Sequence, residues 1–339
     1  MKNQYTGHST QCCGVEEHRL VGGKGDGMRL YELRNGLGLH VTVSLDRGAD
    51  ISRLSFKGDN YGYFSPCGYV APSYYDDKGA GFLKSFTAGF LTTCGLTAVG
   101  TPTADQGQEL PLHGTISNTP AEYASFYETE EEIQIHAAVN QSGLFCEKLS
   151  LHRTIFCSKR RNRMVIEDEI ENGGDETTPL MFLYHINIGY PRLSEKSQLY
   201  IPSQSVKART AEAEKGIGEW NVITEPQKHY KEQCYYHNFD SENGMAAIYN
   251  PEIGKGLCIS FDTKSLDYFT EWKLLGYRDY VLGLEPGNCH PDGRDVMRRE
   301  KKLKFIRPNE KIKYRVQMDF FDSDKTLAKF NEKNLPSQK

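Results

Sequence analysis

Residues 149–172 read LSLHRTIFCSKRRNRMVIEDEIEN, and their alternation decides the fold class. Leu149, Leu151, Arg153 and Ile155 share one parity, and Met164, Ile166, Asp168 and Ile170 share another. A period of two belongs to half-buried strands, because successive side chains leave a pleated backbone on opposite sides. The alternation returns in Ile312, Tyr314, Val316, Met318 and Phe320, and strand patterns also run through Met28 to Leu33, Leu39 to Val43 and Ile51 to Phe56. Antiparallel sheets with one wet face follow. Helical signals are sparse, the best being Thr326 to Lys333 with Ser323 or Asp324 as cap. Since β and α patterns do not alternate, a doubly wound or barrel fold of parallel strands is disfavoured. An all-β protein is expected.

With 339 residues the chain has room for a large core, and a single β domain over 27–339 is expected, preceded by a polar, Gly-rich arm at 1–26. Residues 61–109 interrupt the strand pattern with Gly, Pro, Tyr and Thr. A long irregular stretch that is also rich in aromatics reads as a functional loop system, and it is expected to wall one side of a binding cleft. Forty-one basic residues against forty-five acidic ones leave a net charge of -4, without the concentrated basic face that nucleic acid requires. The short run from Arg298 to Lys304 reads as a solvated strand or edge. Nine scattered cysteines with no CxxC pair read as free thiols, and Cys12 and Cys13 have only His8 and His18 nearby as further metal ligands. There is no apolar signal core and no run of membrane-spanning length, so a cytoplasmic protein without a membrane partner is expected.

Three titratable residues stand where apolar runs meet Gly, Pro or Asn: His113 in LPLHG, His185 in FLYHINIGYP and Glu285 in LGLEPGN. Strand ends of this kind can project side chains into one cleft. Imidazole titrates near pH 6.5, and burial can raise a carboxyl toward it, so the two form an acid and base pair near neutrality. Such a pair moves protons on a sugar without metal or organic cofactor. Opening a cyclic hemiacetal takes one proton from the anomeric oxygen and gives one to the ring oxygen, and no nucleophile is needed. Asp76 with Asp77 read as solvated turn carboxylates, and Cys289 beside His290 carries no oxyanion signature.

In order, LDRGADI, TTCGL, LHG, YHINIGYP, EWK and GLEPGN span residues 45–288. This set resembles the aldose 1-epimerase, or galactose mutarotase-like, superfamily, in particular a branch of uncharacterised relatives. The resemblance implies a large antiparallel β supersandwich with few short helices, an open sugar cleft and chemistry without metal. It also implies Glu285 as the base at the anomeric hydroxyl, His185 as the acid at the ring oxygen, and His113 as a second histidine steadying the ring. Departures concern the substrate. His185 is followed by Ile186, Asn187, Ile188 and Gly189, not by aromatic residues and an asparagine, and no Asn and Arg pair precedes His113.

Further candidates for holding the sugar are Arg47, Asn187, Trp272, Lys273, Asn288 and Arg294. A surface ion pair is the alternative for Arg47 and Lys273, and a core position is the alternative for Trp272. Phosphate recognition stays open if Arg47, Lys273 and Arg294 meet. The expected function is anomer interconversion on a free sugar. The rival readings are a sugar-binding protein or sensor on the same fold, and a lyase or hydrolase on a related sandwich. A homodimer is one assembly compatible with the sequence.

Overall fold

The structure, a computed structural model, describes residues 4–322. The alternating runs become long antiparallel strands. Glu132–Ser142, Lys148–Ser158 and Arg163–Asn172 pair so that Ile135 lies opposite Ile155, and Ile155 opposite Ile166. One apolar parity therefore lines one face. An eight-stranded sheet grows from this centre, with Tyr123–Glu128 at one edge and Lys311–Phe321, Lys255–Asp262, Asn243–Asn250 and Gln198–Tyr200 on the other side. A second sheet orders Ser205–Ala208, Gln233–Asn238, Tyr268–Leu275, Tyr280–Gly287 and Thr178–Ile188, the last of which also pairs with Leu91–Leu96 and Lys304–Ile306. A five-stranded sheet begins with Gly14–Arg19 and Arg29–Arg34.

All three sheets contribute to one core, including Val41 and Ile51 from the five-stranded sheet, Ile135 and Ile155 from the eight-stranded sheet, and Phe182, Tyr184, Leu282 and Leu284 from the second sheet. Each such side chain contributes roughly 1.5–3 kcal/mol relative to exposure. Arg153 and Asp168 occupy buried parity positions because they satisfy each other through Nε and Nη2, at 2.9 and 2.8 Å. Arg153 also donates to Asp50 and to Thr93 Oγ1, each at 2.7 Å, which ties all three sheets together.

Parity on the second sheet positions everything that follows. Phe182, Tyr184 and Ile186 face the core, as do Leu282 and Leu284 on the neighbouring strand. His185, Asn187, Gly283 and Glu285 alternate with them and so face the other side.

Several expectations are corrected. Residues 1–26 are not merely an arm: Gly14–Arg19 is the edge strand of a sheet, and Val15 is buried in the core. The stretch 61–109 is irregular only in part, since Leu91–Leu96 is a fully buried strand. The basic run begins inside the helix Arg294–Arg299 before reaching the strand Lys304–Ile306. The helix expected at 326–333 lies outside the described residues. Among those residues, no helix is long and apolar enough to cross a membrane.

Candidate active site

The second sheet aligns a row of side chains across its outer face. Tyr236 pairs with Thr270, Thr270 with Glu285, and His185 with Thr92. The pairing of Ile186 with Leu284 and Leu183 with Gly287 sets His185 opposite Glu285. His185 Nε2 consequently lies 3.2 Å from Glu285 Oε1, in contact but off the line of a hydrogen bond. His113 arrives from a loop, its backbone N–H donating to Gly100 and its carbonyl accepting from Gly95. It holds φ at 59°, a left-handed conformation that costs a non-glycine residue on the order of 1 kcal/mol. Its ring centre is 5.5 Å from that of His185. Sequence places these three residues far apart, and the fold brings them together.

Aromatic rings close around them. Phe86 and Trp272 lie edge-on to His185 at 5.5 and 5.3 Å, and Phe82 packs on His113 at 5.3 Å. Phe82 and Phe86 belong to the stretch 61–109, which does wall this side of the site. The site is less open than the resemblance implies, for the side chains of His185 and Glu285 are only 6% and 2% exposed. Such burial disfavours charge. It raises the pKa of Glu285 well above the ordinary carboxyl range, an effect that the nearby Arg209 cation opposes. It lowers His185 to about 4, and it pushes His113 well below the usual imidazole value with help from His185 and Arg209.

Among the described residues, five polar atoms in this region are buried without a hydrogen-bond partner: His113 Nδ1, His185 Nδ1, Asn187 Oδ1, Thr270 Oγ1 and Glu285 Oε1. Buried polar groups are ordinarily satisfied, so such a concentration marks a place where a polyhydroxylated ligand would be stabilised. A second His–Glu pair provides the contrast. His237 Nε2 meets Glu271 at 3.1 Å, and its Nδ1 meets Ser203 Oγ at 2.7 Å, so both ring nitrogens are satisfied within the fold. That pair reads as structural, whereas His185 keeps a free nitrogen.

The other candidates divide sharply. Trp272 sits against His185, and its Nε1 donates to Glu232. Asn187 shares the face of His185, with its amide nitrogen donating to the Ala88 and His185 carbonyls. Lys273 is corrected: one residue after Trp272, it points to the opposite side and donates to the carbonyls of Glu219, Trp220 and Val222. Asn288 is also structural, accepting from the Phe182 N–H and donating to the Leu180 carbonyl and Tyr314 hydroxyl. Arg294 is buried against Asp105, Gln108 and the Thr97 carbonyl. Arg47 joins two loops through the Ser117 and Val70 carbonyls beside a small cavity that Asp50 and Thr92 also line. These three cations are engaged separately and do not form a phosphate site.

Thr270, Tyr236, Arg209 and Gly283 were not anticipated. Thr270 was detectable, since it shares parity with Trp272. Gly283 matters through what it lacks: a Cβ there would stand 2.3 Å from Glu285 Oε1 and 3.1 Å from Trp272 Cβ. The obstacle is mainly the flexible end of the glutamate, so Gly283→Ala should fold yet swing the carboxylate away from His185. A folded circular-dichroism spectrum together with a Glu285 carboxylate displaced from His185 in the crystal structure of the variant is the expected result, and an unmoved carboxylate would contradict it.

The family described as Domain of unknown function (DUF4432) matches residues 25–320. No curated protein matches the sequence. Among solved structures, a protein from Klebsiella pneumoniae provisionally named an aldose 1-epimerase superposes with a TM-score of 0.88, at 26% identity over 94% of this chain and 86% of that one. A galactose mutarotase-like protein from Clostridium acetobutylicum gives 0.69 at 12% identity, covering 92% of this chain and 99% of that one. A galactose 1-epimerase from Lactobacillus acidophilus gives 0.62 at 13% identity, again with 92% and 99% covered. The last two identities speak for a common fold alone. Sheet order and superposition together make this chain a galactose mutarotase-like β-sandwich, and the match over 25–320 makes it a member of the DUF4432 family.

Proposed function

We propose that the protein is a mutarotase, interconverting the anomers of a free sugar by acid and base catalysis with Glu285, His185 and His113. The reading rests on a buried carboxylate and imidazole in 3.2 Å contact, surrounded by polar atoms without partners. The name of the Klebsiella pneumoniae relative adds support for the same reaction class. Ring opening breaks the bond between the anomeric carbon and the ring oxygen. Glu285 takes the proton from the anomeric hydroxyl, His185 gives one to the ring oxygen, and His113 steadies that oxygen or a neighbouring hydroxyl. Rotation of the aldehyde and the reverse transfers then close the other anomer.

The protonation directions add a step. Burial raises Glu285 and lowers His185, so the proton of the ligand-free pair resides on the carboxyl. That arrangement matches the open-chain aldehyde, where Glu285 is the acid and His185 the base. A bound ring form requires the other arrangement, in which the same single proton sits on His185 and the net charge of the pair is unchanged. The site therefore works whenever the pair holds one proton.

A pH profile follows. Below about 4 His185 gains a second proton and the base is lost, whereas above the raised pKa of Glu285 the only proton is lost and no acid remains. Exchange should be flat between these limits and fall on both sides. A loss of activity on going up through pH 6.5, with the alkaline limb surviving in Glu285→Gln, would contradict this assignment.

Saturation-transfer NMR on freshly dissolved aldoses and ketoses tests the function itself. Accelerated exchange for at least one sugar is expected. Binding of a sugar without any acceleration would favour the sensor reading.

A further inference from the structure

We infer that Arg209 and Asp292 form the specificity-determining subsite of this site, holding hydroxyls of an uncharged sugar away from its anomeric carbon. The inference rests on the mutarotase reading for its reaction, but not for its binding geometry. Arg209 follows the strand Ser205–Ala208, and its N–H donates to the Cys234 carbonyl, at the edge of the sheet that carries the site row. Its Nε donates to Asp292 Oδ1 at 3.0 Å, and its Nη2 donates to Thr101 Oγ1 and the Pro291 carbonyl at 2.7 and 2.9 Å. Nη1 makes none of these bonds. Asp292 Oδ1 also accepts from Tyr236, whose hydroxyl is 2.6 Å away, and among the described residues neither bond uses Oδ2.

Three observations put this pair at the cleft. Tyr236 belongs to the row Tyr236, Thr270, Glu285 and His185, two strands or about 10 Å from the glutamate at ordinary strand spacing. That is about the reach of a sugar and its outer hydroxyls. Asp292 bridges to Gly100, the residue whose carbonyl accepts the His113 N–H, so the pair abuts the second histidine. The Arg209 charge acts on both the second histidine, His113, and the carboxylate, Glu285.

The chemistry of the pair selects the ligand. Nη1, on the edge of the guanidinium away from the Nε–Asp292 bond, offers a donor, and Asp292 Oδ2 offers an acceptor, so the pair can hold separate hydroxyls of a polyol. The same carboxylate already balances the arginine and would repel a sugar phosphate or carboxylate. His290, stacked on Tyr236 at a ring separation of 3.7 Å, stiffens the wall behind the phenol.

The test uses the full chain and two readouts. Binding is measured by isothermal titration in a Glu285→Gln background, so that it does not depend on turnover, against a panel of free aldoses, single-deoxy analogues and sugar phosphates. Anomer exchange is measured in the otherwise native protein. Arg209→Gln and Asp292→Asn should each weaken binding of the preferred sugar about 10- to 100-fold, as expected for a lost charge-assisted hydrogen bond. Both should raise KM far more than they lower kcat. A deoxy analogue lacking one of the recognised hydroxyls should lose affinity in native Arg209 protein and lose little more in the variants. Tyr236→Phe provides a milder variant if either substitution impairs folding, and it should weaken binding in the same sugar-selective way. Unaltered affinity in correctly folded variants, tighter binding of a phosphate than of its parent sugar, or no sugar binding at all would overturn the inference. Arg209-dependent binding without exchange would sink the mutarotase reading while leaving the subsite intact.

Discussion

Glu285→Gln should slow anomer exchange by at least about 10²-fold, the scale on which removal of a general base is felt. The amide keeps the shape of the carboxyl and its place over Gly283 but neither accepts the anomeric proton nor returns it. Sugar affinity and folding should change far less, because the carboxyl is already biased toward its uncharged form by burial and an amide is neutral too. Comparing exchange by saturation-transfer NMR with affinity by titration separates the two effects. A variant exchanging anomers at the native rate would remove Glu285 from the chemistry and favour a binding protein on this fold.

The parts of the site that were legible in sequence are those governed by strand parity and strand ends. The alternation through 149–172 reappears as paired strands, and even its exceptions, Arg153 and Asp168, are buried at the expected parity because they compensate each other. His185 and Glu285 stand in apolar runs that end in Gly and Pro, so a side chain at each could be expected to emerge from a sheet. Parity also held information that had not been fully used. Trp272 and Lys273 are consecutive residues of one strand and cannot both face a ligand. Once Trp272 is placed against His185, Lys273 must turn toward the carbonyls of residues 219–222. The same logic sends Asn288 inward, since it alternates with Glu285 beyond the strand end.

What the sequence hid depends on loops meeting across long separations. Arg209 and Asp292 are 83 residues apart and touch through a turn after one strand and a loop after another. Neither has a periodic context from which its direction could be read. Arg294, a candidate sugar ligand two residues from Asp292, starts a short helix and is paired with Asp105. The polar N-terminal composition concealed an edge strand for a related reason. Gly14–Arg19 needs only Val15 in the core, because its partner strand carries the apolar residues Leu30 and Leu33.

His185→Asn should also reduce exchange by about 10²-fold or more, with the acid of ring opening lost instead of the base. Since ring opening needs a base and an acid in the same event, with one proton between the two groups, the two losses should not multiply. The His185→Asn, Glu285→Gln double variant should therefore fall within a few-fold of the slower single variant. The pH response distinguishes this outcome from simple misfolding. With imidazole removed, the acid limb near pH 4 should vanish, and any residual activity, which needs Glu285 ionised as the base of ring opening, should instead rise as pH passes through its raised pKa. Fully multiplicative defects would mean that the two side chains act in separate steps, and the one-proton pair would have to be abandoned even if each residue proved necessary.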